Sequence, residues 1–375
     1  MKRLFSLMLA LCLILAGCGG GQTETQPTTT AAPVTEMPTE APTEAPTEAP
    51  AETTEPAVVN PTEDVKESDP TLVNPLTGET LEEPCNSRVF AVTINNVPPA
   101  LPHYGVVDAD LFFEMFVNGL ATRGLALYAD ISKVNAIGSV RSMRLNFTDI
   151  CQAYDAIPAY ASGSTTVLKD LSRSGIPGIS VESEAADYYF RDQDRLNANY
   201  AWEHVLFVKG AEMVKYAEKK GMRVTRDEEK DFGLSFTENG MPEGGEPAAT
   251  VTIDMKYGSV TKTNKMIYDA ETGLYIYNQY GSEMKDGITG EKVGFKNVIV
   301  MLCKVYDYDV YHVAELVSSG EGYFACDGQL IPILWSRESD TDPFHFTLTD
   351  GTPLELGIGS SYICFAPKQS DVRWE

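Results

Sequence analysis

The chain has 375 residues, 43% of them apolar and 10% aromatic, which is enough to bury a sizeable core. It carries 54 acidic against 29 basic side chains, a formal net charge of -25. That charge repels the phosphate backbone of nucleic acids and anionic membrane surfaces at long range, so no nucleic-acid partner is expected and a covalent lipid rather than a basic patch is the expected membrane attachment.

The first elements are export signals. Met1, Lys2 and Arg3 supply a positive start, and Leu4 to Ala16 form an apolar run too short for an ordinary membrane span. The run ends in Leu15-Ala16-Gly17-Cys18, which resembles the bacterial lipobox. Residues 1–17 therefore read as a lipoprotein signal peptide and Cys18 as the lipidation site. The expected location is the cell membrane, lipid-anchored and facing outside the cytoplasm, because diacylation adds roughly 0.8 kcal/mol per buried CH₂. Residues 18–72 follow as a Thr/Glu/Pro/Ala stalk in which Thr-Glu-Ala-Pro repeats between Pro38 and Pro50. Recurrent proline forbids regular helix there and favours an extended, disordered linker, reaching on the order of 150 Å at about 3.1 Å per residue.

Residues 73–237 mix strand and helix signals. Val89 to Ile94, Leu111 to Val117 and Leu120 to Ala129 are β-type runs, the first ending at Asn95, Asn96, Pro98 and Pro99. Phe147, Ile150, Cys151 and Tyr154 recur at helical spacing, and Val205 to Lys220 reads as another helix closing at Gly221. A polar, glycine-rich break from Glu238 to Pro247 precedes residues 248–370. These read as a succession of short strands with hairpin breaks such as Asp327-Gly328 and Asp350-Gly351. The fold class expected is α+β: a mixed α/β N-terminal domain, then a mainly antiparallel β C-terminal domain arranged as a meander or small barrel.

Charge clusters between Asp108 and Arg144. Asp110 and Glu114 stand four apart, which places both carboxylates on one face of either a helix or a strand. Arg123, Arg141 and Arg144 follow closely, and with Ser142 as a helix N-cap the Arg144 guanidinium points to the buried edge, where it must find an anion. Two readings stay open. One is a structural ion-pair network of these five residues; the other is a cleft in which arginines beside a helix N-terminus bind a carboxylate or phosphate.

Several of these segments carry a family likeness. Asn74-Pro75-Leu76-Thr77-Gly78, Ala91 to Asn96, Ala109-Asp110 through Glu114, Thr122-Arg123, Val140 to Arg144 and Phe190-Arg191-Asp192 resemble the YerB-like family of bacterial lipoproteins. The likeness continues through Gly320 to Cys326, Trp335, and Leu354 to Pro367. It implies two domains of unknown function outside the cytoplasm and adds Asn95 and Asn96 to the candidate binding residues. The chain departs from the family at Tyr160 to Ser164, where relatives often show His near Gly-Gly-Ser. It departs again at His204-Val205-Leu206-Phe207, where they show His-Asn-Leu-Tyr.

The four histidines, His103, His204, His312 and His345, show no metal-ligand spacing, so neither metal nor cofactor is expected. The exported body keeps Cys85, Cys151, Cys303, Cys326 and Cys364, expected chiefly as buried thiols, with a bridge among the last three as the alternative. Tyr275 with Tyr277, and Tyr306 with Tyr308, share strand faces suited to cross-strand packing or to stacking on sugar rings. The function expected is binding of a cell-envelope component or an envelope protein. The alternatives are an envelope hydrolase using Asp110 or Glu114 with His204, and a structural spacer.

Overall fold

Strand formation follows the β-branched and aromatic runs. In the computed structural model, which describes residues 69–119 and 121–375, they give β1 (Phe90–Asn96), β2 (Leu111–Asn118) and β3 (Ala121–Tyr128). The expected signal peptide, Cys18 and the stalk as far as residue 68 lie outside the described residues. Next come α1 (Leu145–Ala153), β4 (Ile157–Tyr160), α2 (Thr165–Ser174), β5 (Ile179–Ser180), α3 (Gln193–Asn197) and α4 (Gly210–Lys219). The expected helix from Val205 is corrected: Leu206–Val208 is a strand, and the helix starts only at Gly210. Its backbone packs so closely on Ile131 that a Cβ at position 210 would lie 1.6 Å from the Ile131 carbonyl oxygen, so a glycine is required there.

The later strands are β6 (Thr250–Tyr257), β7 (Val260–Asp269), β8 (Leu274–Gln279), β9 (Asn297–Cys303), β10 (Ser319–Cys326), β11 (Gln329–Ser336), β12 (Ser361–Pro367) and β13 (Asp371–Trp374). They do not close into a barrel; β6-β7-β8 and β9-β10-β11 are short antiparallel meanders, but they lie in two different sheets. β13, β6, β7 and β8 form one antiparallel sheet with two short added strands, whereas β11, β10, β9 and β12 join the earlier strands in a second. This large sheet runs β11-β10-β9-β12-β2-β3-β1-β4-β5 through its centre. The joint is β12, which lies parallel to β9 on one side and to β2 on the other, so the two stretches expected as domains contribute strands to a single sheet. A parallel crossover has no local turn signature, which is why the later strands read as a domain of their own.

The large sheet is buried on both faces. One face, with Ile94, Phe112 and Phe116, packs on Met255, Met266, Tyr275 and Tyr277 of the smaller sheet, and Phe112 lies among the rings of Tyr277, Phe295 and Tyr362. The opposite face, with Leu111, Phe113, Leu125 and Ile363, packs on Phe147 and Ile150 of α1, on Tyr154 at its C-terminal cap, and on Val167 and Leu171 of α2. Each fully buried aromatic or branched side chain contributes about 1.5–3 kcal/mol. Among the described residues the five cysteines are free thiols, four of them buried; Cys85, contrary to the expectation for all five, is only half-buried. No helix among the described residues is long and apolar enough to cross a membrane.

Because β12 fills the gap between β2 and β9, residues 69–247 made alone would expose the Phe113 edge of β2. We expect that fragment to lack a cooperative thermal transition by near-ultraviolet circular dichroism while residues 69–375 show one; a cooperative transition in the shorter fragment would contradict the shared sheet.

Candidate anion-binding site

Strand alternation decides where the charges go. In the β2–β3 ladder Glu114 faces Gly124 and Met115 faces Arg123, while Arg123 also stands opposite Asn95 of β1. Side chains directly opposite share a face and sequence neighbours do not, so Glu114 and Arg123 project from opposite faces of the sheet. The expected single cleft of Asp110, Glu114, Arg123, Arg141 and Arg144 is thereby corrected: the sheet itself separates the carboxylate from the arginines.

Glu114 is fully buried between the sheets. Its Oε1 accepts from Lys262 Nζ, from Thr122 Oγ1 at 2.7 Å and from Asn96 Nδ2 at 2.9 Å. Its Oε2 accepts from the hydroxyls of Tyr277 and Tyr362 at 2.7 and 2.8 Å and from Asn264 Nδ2 at 2.9 Å. Gln279 closes the network, accepting from Lys262 Nζ at 2.8 Å and donating to Asn96 Oδ1 at 2.7 Å. Burial pushes the Glu114 carboxyl up, but the Lys262 charge and the converging donors outweigh it and hold the group below its usual range. Lys262 was not singled out in the sequence. On β7 neither alternating set is uniformly apolar, since Met266 falls in one and Ile267 in the other, so the inward lysine leaves no pattern to read.

Asp110 stands just before β2 and takes a third, separate position. It accepts from the Ala129 amide at 2.6 Å and from Asn74 Nδ2 at 2.7 Å, with no cation beside it. Neither Asp110 nor Glu114 is hydrogen-bonded to His204. The His204 ring meets Asn95 instead, at 2.8 Å from Nδ2 to Nδ1, and burial lowers its pKa, with the charges of Arg141 and Arg195 adding to the effect. Asn95 and Asn96 are likewise divided, the first with His204 on the arginine face and the second with Glu114.

On the arginine face three guanidinium groups gather with almost no compensating charge. Arg123, 5% exposed, donates Nη1 to the Ser142 carbonyl at 2.9 Å; Arg144 donates Nη1 to the Met143 carbonyl at 2.8 Å and to the same Ser142 carbonyl at 3.4 Å. Among the described residues Arg141 reaches only the exposed Glu203, at 4.0 Å. Among the described residues no carboxylate pairs with Arg123 or Arg144, and the Nε of all three arginines is buried without a partner. Burial and the neighbouring charges of Arg144 and Arg141 drive Arg123 well below its ordinary value; burial, with Arg141, brings Arg144 down to about 10. The expected N-cap is also corrected: Arg144, not Ser142, occupies the N-cap of α1, and no side chain caps that helix end. Ser142 instead pairs its hydroxyl with that of Ser162 at 3.0 Å, and Ser164 caps α2. Three guanidiniums with free donors beside an uncapped helix start are the chemistry that holds a carboxylate or phosphate.

The chain matches family models in two stretches: residues 76–223 match "Protein of unknown function (DUF3048) N-terminal domain" and residues 253–363 the corresponding C-terminal domain. It is 26% identical over 304 residues to the "Putative lipoprotein YerB" of Bacillus subtilis (strain 168), covering 79% of this chain and 86% of that one. The crystal structure of the YerB protein from Bacillus subtilis superposes with a TM-score of 0.68 at 23% identity, over 80% of this chain and 99% of that chain, and shows the same fold.

Burial raises the carboxyls of Asp110 and of Asp149, on α1, to about 6. Their folded values lie above the unfolded value of about 3.9, so the stability they contribute is complete below pH about 4 and is lost as the pH rises through about 6. Side-chain carboxyl titration by NMR should place both midpoints near pH 6. Midpoints near 4 would contradict burial as the dominant influence on both groups, which at Asp149 outweighs the Arg337 charge and the Asn146 hydrogen bond.

Proposed function

The chain belongs to the DUF3048 family, and from that membership we propose that it is a lipid-anchored extracytoplasmic protein that binds an anionic envelope ligand at Arg123, Arg141 and Arg144. The observation that carries this reading is the buried Arg123 guanidinium: it lies against two further arginines and no acid. A buried charge without a partner destabilises the fold by several kcal/mol, and a bound carboxylate or phosphate removes that cost while gaining charge-assisted hydrogen bonds of about 1.5–3 kcal/mol each. The anchor is Cys18, acylated after cleavage behind Gly17, with the Pro-rich stalk holding the folded part away from the membrane. Membership in a family with a lipoprotein relative supports this placement. The hydrolase alternative has less support, since Glu114 already accepts six hydrogen bonds and Asp110 does not meet His204.

Two measurements test the two halves of the proposal. Cys18→Ala should shift the protein from the membrane fraction into the medium; continued membrane association of the variant would remove the anchor. Inorganic phosphate should raise the thermal midpoint of the full chain in a concentration-dependent way. Arg144→Gln should weaken that response about tenfold or more, the loss of one charged hydrogen bond. An equal response in both proteins, or none in either, would remove the anion site.

A further inference from the structure

The arginine cluster does not stand alone. A hairpin of Val305–Tyr308 and Tyr311–Ala314 rises beside it, and the Tyr311 ring lies over the Arg144 guanidinium at 4.9 Å. Cross-strand pairing sets Tyr308 directly opposite Tyr311 and Tyr306 opposite Val313, so alternation puts Tyr306, Tyr308 and Tyr311 on the same hairpin face. Tyr306 and Tyr308 are 42% and 47% exposed, and packing of the fold does not account for that exposure.

The hairpin is nonetheless held in place. At its base Asn146 of α1 donates to the Ala314 carbonyl at 2.8 Å and accepts from the Ala314 amide at 2.9 Å. On its other face Asp307 accepts from the Tyr257 hydroxyl at 2.8 Å and pairs with the His312 ring at 2.8 Å, while His312 packs on Tyr257 with ring centroids 4.3 Å apart. Flat rings that are fixed, solvent-facing and contiguous with an anion-seeking guanidinium are pre-organised to take a ligand with both a face and a charge.

We infer that the ligand of this site is an acidic saccharide, a sugar ring bearing a carboxylate or phosphate, with the charge on Arg144 and Arg123 and the ring against Tyr306 and Tyr308. The inference rests on the anion-site reading above. Sugars present C–H faces that stack on aromatic rings and hydroxyls that hydrogen-bond to tyrosine tips. The net charge of -25 disfavours an extended polyanion, whose approach would be repelled at long range, and favours a ligand whose charge is local.

The test is calorimetric titration of the detergent-purified full chain with N-acetylmuramic acid, glucose 1-phosphate, N-acetylglucosamine and inorganic phosphate. We expect at least one acidic sugar to bind about tenfold more tightly than either the neutral sugar or phosphate; which of the two does so separates a carboxylate from a phosphate source. In the Tyr306→Ala/Tyr308→Ala variant that advantage should fall about tenfold with phosphate binding unchanged. Arg144→Gln should weaken acidic sugar and phosphate alike. If acidic sugars bind no better than phosphate, or the tyrosine variant keeps the advantage, the saccharide inference falls and the anion site stands. Absence of binding by every probe removes both.

Discussion

The carboxylate of Glu114 lies wholly between two sheets, paired with Lys262 and surrounded by five further donors, and this one buried ion pair ties the folded region together. Glu114, Asn96 and Thr122 come from the large sheet, Lys262, Asn264, Tyr277 and Gln279 from the smaller one, and Tyr362 from the strand that joins the two stretches of sequence. An ion pair so far from water is tolerated only when its charges are paired and hydrogen-bonded, and the donors that converge on both Glu114 oxygens from the two sheets fix how the sheets face one another. Removing one member leaves a buried charge and costs about 3–5 kcal/mol.

That arrangement also decides what the arginines are free to do. With Glu114 committed to Lys262 on one face and Asp110 held by Asn74 and the Ala129 amide elsewhere, Arg123 and Arg144 hydrogen-bond, among the described residues, only to backbone carbonyls. Carbonyl oxygens orient a guanidinium but do not neutralise it. The cluster is electrostatically incomplete where α1 begins without a cap, beside a hairpin that shows its tyrosines to solvent.

Much of the fold was legible because its strands are β-branched and aromatic: Val89 to Ile94, Leu111 to Val117 and Thr250 to Met255 sit within or across observed strands. The candidate arginines were legible for a local reason, since Arg141 and Arg144 lie just before a helix start and Arg123 lies near the start of a strand. What separates them from Glu114 was not. The four-residue spacing of Asp110 and Glu114 names a common face only if both lie in one element, and Asp110 precedes the strand. Register against the next strand then sends Arg123 to the other side, and register is a pairing property that no single run of residues carries. Lys262 and the parallel placement of Ser361–Pro367 were illegible for the same reason: the first is 148 positions from its partner and the second joins two strands distant in sequence.

The claim that Glu114 is neutralised by Lys262 across the sheets, leaving the arginines of the opposite face unpaired, is tested most directly by two double-mutant cycles on unfolding free energy. Glu114→Gln combined with Lys262→Met should show a coupling of about 2 kcal/mol or more, and Glu114→Gln combined with Arg123→Gln should be additive within about 0.5 kcal/mol. Strong coupling of Glu114 to Arg123, with additivity toward Lys262, would contradict the account.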